Sequence, residues 1–71
     1  MRAMEYTVIV EHGGHNLSAY VPDLPGCVAT GRSEAEVVVN IREAVRFHIE
    51  GLRNAGEPVP VPTSTAVRIA V

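Results

Sequence analysis

Seventy-one residues with six basic side chains, all arginine, and eight acidic ones give a formal net charge of −2, which offers no global attraction to nucleic acid. No apolar run approaches the ~20 residues a membrane helix requires, no signal-peptide pattern opens the chain, and a single cysteine excludes an internal disulfide. A cytoplasmic, globular, single domain over 1–71 is expected, with an aliphatic, valine-rich core because only Tyr6, Tyr20 and Phe47 are aromatic.

Met1 to Met4 reads as a frayed start, with Met4 an alternative initiator. Tyr6 to Glu11 is rich in β-branched residues and predicts a strand, and Asn16 to Val21 alternates apolar and polar residues and predicts a second. Between them His12-Gly13-Gly14-His15 suits a hairpin whose Gly13-Gly14 centre takes positive φ. Val21-Pro22-Asp23-Leu24-Pro25-Gly26-Cys27 then forces a rigid corner, since proline fixes φ and lacks an N–H while Gly26 admits positive φ. Cys27 to Thr30 is long enough for a short third strand.

From Ser33 the period becomes helical. Ser33-x-x-Glu36 reads as a capping box, and Val38, Ile41, Val45, Ile49 and Leu52 form an apolar stripe that Val37, Ala44 and His48 widen. Gly56 followed by Pro58 is a stop signal, and Glu57 to Pro62 alternates proline and is extended. Thr65 to Val71 alternates again, with Val67, Ile69 and Val71 on one side and Arg68 on the other, and predicts a last strand. The expected class is therefore α+β: a βββαβ two-layer domain with one helix on one face of a four-stranded sheet. Val8 and Val10 point to one side of the first strand and Ile9 to the other, so part of the second face is apolar. A domain this size buries only roughly 60% of its unfolded surface. Cover from further copies, as a homodimer or homotetramer, is the expectation.

Tyr20 to Cys27, Gly31 with Ser33-Glu34 and Glu36, Asn40-Ile41-Arg42-Glu43-Ala44 and Pro58-x-Pro60, in this order after a Gly-Gly turn, resemble the HicB antitoxin family over nearly the whole chain. The resemblance implies a partial ribonuclease-H-like fold of mixed sheet order 3-2-1-4, in which the last strand lies parallel to the first and the helix is the crossover. It also implies a non-catalytic protein that binds and occludes a HicA-type mRNA-cleaving toxin in a toxin-antitoxin system. Many members of that family add a C-terminal DNA-binding segment; the sequence stops at Val71, so none is expected here, nor is direct nucleic-acid binding. A stand-alone oligomeric adaptor or small-ligand binder that keeps the fold without a toxin is the alternative.

Catalytic, cofactor and metal residues are assigned to none. Ribonuclease-H chemistry needs several carboxylates around two metal ions, whereas Asp23 is the sole aspartate and 65–71 carries no acid. His12 and His15 flank a turn without further zinc ligands; His48 lies on the helix stripe with no nucleophile placed for it. Cys27 reads as a small buried apolar side chain, and Asp23 as a turn-former accepting backbone N–H groups, with partner recognition as its other role. The candidate partner-binding set is Tyr20, Pro22, Asp23, Leu24 and Pro25. The set expected to define the fold is Gly13, Gly14, Gly26, Cys27, Ser33, Glu36, Ile41, Val45 and Gly56.

Overall fold

Where the chain can and cannot pair decides the bounds of each strand in the computed structural model, which describes residues 4–71. The expected frayed start therefore lies, but for Met4, outside the described residues. Strands β1 (Ile9–His12), β2 (Leu17–Tyr20) and β3 (Val28–Gly31) form one antiparallel sheet in the order β1-β2-β3, followed by helix α1 (Glu34–Asn54). β1 and β2 are shorter than the segments that predict them, and β3 has the expected length but begins one residue later than Cys27. Tyr6 to Val8 stay outside β1 because, in the register that sets Ile9 against Tyr20, their partners would be Val21 to Asp23, where Pro22 has already turned β2 away.

The first hairpin is a correction. Gly13 donates its N–H to the Asn16 carbonyl at 2.8 Å, so the turn centres on Gly14-His15 rather than on Gly13-Gly14. Neither glycine takes positive φ, which among the described residues belongs to Gly26 and Gly56 alone. Gly13 is needed for space: a Cβ there would stand 2.9 Å from the Asn16 carbonyl oxygen.

At the helix start, the Ser33 hydroxyl accepts the Glu36 N–H at 3.1 Å, while the Glu36 carboxylate accepts the Arg32 N–H, one residue before the cap, at 3.3 Å. At its end, Gly56 at φ 71° donates to the Arg53 carbonyl and Glu57 donates to the Leu52 carbonyl, a Schellman closure of otherwise free carbonyls. The helix lies over β3 and β2. Its buried positions are Val37 and Ile41, with Ala44, Val45 and Ile49 packed beside them; Val38, expected within the stripe, is 39% exposed. The approach at the front of the helix is so close that a Cβ on Gly31 would meet the Val37 backbone nitrogen at 2.6 Å.

Ala19, Val21, Leu24, Cys27, Val37 and Ile41 make the buried core. The fourth strand of the expected 3-2-1-4 sheet is not formed in this single chain: among the described residues no strand follows α1, and 65–71 is exposed throughout. Its alternating pattern holds, but alternation gives a strand only when an edge offers hydrogen bonds, and none is taken up here.

Candidate partner-binding surface

The proline corner is two tight turns back to back. Leu24 donates its N–H to the Val21 carbonyl at 3.0 Å across Pro22-Asp23, and Cys27 donates to the Leu24 carbonyl at 3.0 Å across Pro25-Gly26, with Gly26 at φ 84°. Proline in the first central position of each turn and a positive-φ glycine in the second place of the latter are what such turns demand. Val21 also donates to the Cys27 carbonyl at 3.2 Å, which closes the loop at its base. The outcome is that Leu24, at the junction, is driven fully into the core (0% exposed), while Pro22 and Pro25 stand outside. Of the expected partner-binding set, Tyr20, Pro22 and Pro25 reach the surface and Leu24 does not.

Asp23 has a role that local pattern does not reveal. Its Oδ2 accepts the backbone N–H groups of Thr63 and Ser64, both at 3.0 Å, and its Oδ1 accepts their hydroxyls at 3.0 and 2.9 Å. It does gather backbone N–H groups, as a turn-forming aspartate would, yet these come from 40 residues downstream. The bonds from Ser64 first and Thr63 next hold its carboxyl down at about 2. Tyr6 donates its hydroxyl to the Pro60 carbonyl, and Thr7 donates its hydroxyl to the Ser64 carbonyl at 2.8 Å. Desolvation, and then the nearby Asp23 charge, push the Tyr6 phenol above its ordinary value. Residues 60–64 are thus clasped between the corner and the segment that leads into β1. A Thr-Ser pair just after a Pro-x-Pro run is the signal in the sequence, but nothing local says which acid it meets.

Two apolar surfaces remain open. On the sheet face turned away from the helix, the registers place Ile9, Tyr20 and Val28 in one row, with Tyr20 39% and Val28 65% exposed, and Glu11, Ser18 and Thr30 in the next. Beside β1 a groove of about 620 Å³ is lined by Tyr6 and Val8 and by Val38, Ile41 and Val45 of the helix, with Glu5, Arg42 and Arg46 also in its lining. A continuation of it reaches Ile49. Phe47, on the outward side of the helix, is 80% exposed.

The remaining candidates sit apart. His12 ends β1 and His15 lies in the exposed turn, while His48 is half-buried on the helix. Among the described residues no three His, Cys, Asp or Glu side chains converge as metal ligands. Cys27 packs in the core at 4% exposure, and burial pushes its thiol up, away from the thiolate form. Among the described residues no helix is long and apolar enough to cross a membrane.

The family model described as "HicB_like antitoxin of bacterial toxin-antitoxin system" matches residues 6–70, which take in the helix-backed antiparallel sheet, every strand and the helix. The chain belongs to this HicB-like antitoxin family. It is 42% identical over 60 residues to the UPF0150 protein Ta0767 of Thermoplasma acidophilum, covering 80% of this chain and 84% of that protein. To an uncharacterized 14.9 kDa protein in the rep-hol intergenic region of Haemophilus phage HP1 it is 37% identical over 57 residues, 80% of this chain but 43% of the phage protein, so it spans less than half of that relative. Among solved structures it matches a chain of a HicA3 and HicB3 toxin-antitoxin complex with a TM-score of 0.72 and 33% identity, over 84% of this chain and 70% of that one.

Proposed function

We propose that the domain acts as a non-catalytic antitoxin, binding a HicA-type toxin protein and occluding the surface with which that toxin meets RNA. One observation carries this reading: the likeness, at 33% identity and a TM-score of 0.72, to a chain of a HicA3 and HicB3 complex. The open row Ile9, Tyr20 and Val28, with the exposed Pro22 and Pro25 at the corner, supplies rigid apolar contact at little entropic cost, because strand pairing and two closed turns already fix these residues. A formal net charge of −2 complements the basic surface an RNA-cleaving partner requires. The domain performs this task as a homo-oligomer, since its open rows exceed what one chain covers.

Coexpression with the product of the adjacent small gene is the test. Copurification of the two proteins and restored growth are expected, with Tyr20→Asp abolishing both while leaving the helical circular dichroism unchanged. A folded protein that neither retains the toxin nor restores growth overturns the reading. RNA incubated with the purified domain and Mg²⁺ or Mn²⁺ is expected to stay intact, as in a buffer control.

A further inference from the structure

The last seven residues have the sequence of a strand and no structure to belong to. In Thr65 to Val71 both faces of the alternation are exposed, with Val67 at 74% and Ile69 at 79%, so this arm lies against neither the sheet nor the helix of its own chain. Among the described residues no backbone hydrogen bond ties the arm to the body either. The radius of gyration, 13.3 Å, exceeds the roughly 11 Å of a compact chain of this length.

At the other end of the same surface stands the complementary lack. Among the described residues, the outer edge of β1 carries no neighbour in the sheet. Beside it an open groove is lined by Tyr6, Val8, Val38, Ile41, Val45 and Ile49, with charged residues, Arg42 and Arg46 among them, alongside. Successive same-face residues of a strand lie ~6.8 Å apart, which gives Val67, Ile69 and Val71 a reach of about 13 Å. The groove from Val38 to Ile49 follows the helix for about 16 Å at 1.5 Å per residue. An arm with three apolar side chains on one face and Arg68 on the other is of a length that such an edge and groove can take.

We infer that the arm of each chain adds as a strand to the β1 edge of a second copy, with Val67, Ile69 and Val71 in that copy's groove, and that the exchange is reciprocal in a twofold dimer. The clasp makes this exchange practicable. Asp23 and Thr7 fix residues 63 and 64 to the body, so the arm leaves from a constant point and loses less freedom when it docks. The strand position expected beside β1 is then occupied by a neighbour's chain. The inference is independent of the toxin, since it concerns the domain alone.

Sedimentation velocity of the full chain, without toxin, at micromolar concentration is expected to give a species of about twice 7.6 kDa. Val67→Asp with Ile69→Asp is expected to halve that mass while keeping the helical signal. To tell whose groove is filled, a chain carrying Ile69→Cys is mixed with one carrying Val45→Cys and oxidised. A disulfide-linked dimer of the two different chains is expected. A well-folded monomer, or crosslinking confined to single chains carrying both substitutions, overturns the exchange. Loss of toxin capture with the dimer intact bears on the antitoxin reading and leaves this one standing.

Discussion

The two sides of this small sheet are built to different standards. On the β3 side the corner, β2 and the first half of α1 enclose Val21, Leu24, Cys27, Val37 and Ile41, all under 5% exposed. On the β1 side, Tyr6, Val8, Val45 and Ile49 are only partly covered, and the helix lies over β3 and β2. A single chain seals one half and leaves the other partly open. The difference follows from where turn chemistry is spent: two closed turns and a capped helix start all fall between Val21 and Val37.

Leu24→Ala is the most severe way to break this contrast, because it empties the best-enclosed site; a loss of roughly 2–5 kcal/mol is expected in a denaturant melt, enough to unfold much of a domain this small. Gly31→Ala comes next. Its Cβ would press the Val37 backbone, at 2.6 and 2.9 Å, and the helix must lift, at a cost of about 1–3 kcal/mol; a lower melting temperature with the strand register kept would show this. Asp23→Asn should leave the core melt nearly unchanged yet speed amide exchange at Thr63 and Ser64. The carboxyl sits at about 2 in the folded chain against 3.8 ordinarily, so its contribution is complete above about pH 4 and is lost as pH falls toward 2. Exchange at Thr63 and Ser64 should rise over that interval while the helix persists. Phe47→Ala, on the exposed outer face, is expected within ±0.5 kcal/mol in the isolated chain; a larger change would mean that a partner covers it.

The sealed side is legible in the amino-acid sequence because its causes are local. Pro22, Pro25 and Gly26 dictate their turns from their own backbone restrictions, and Ser33 and Glu36 cap a helix three residues apart. The open side is not, because its causes are distant: Asp23 finds Thr63 and Ser64 across the fold, and no periodicity encodes that meeting. Val38 illustrates the limit of pattern reading. It shares the apolar stripe of its neighbours, yet the sheet approaches so closely at Gly31 that Val37 takes the central place and Val38 turns to the groove. The alternation of Val67, Ile69 and Val71 is equally plain, but alternation names a strand without naming its mate. The turn at Gly14-His15 is displaced by one residue for a related reason, since strand register, set by Val10 facing Ala19, outranks the preference of a Gly-Gly pair.

The clasp at Asp23 consists of four hydrogen bonds, two exposed and two part-buried, to residues that lie in no strand or helix. Its breathing is therefore uncoupled from global unfolding, and the segment from Pro60 onward can be surrendered to a protease at a pace of its own. The lifetime of the C-terminal segment and the lifetime of the domain are two separately adjustable clocks.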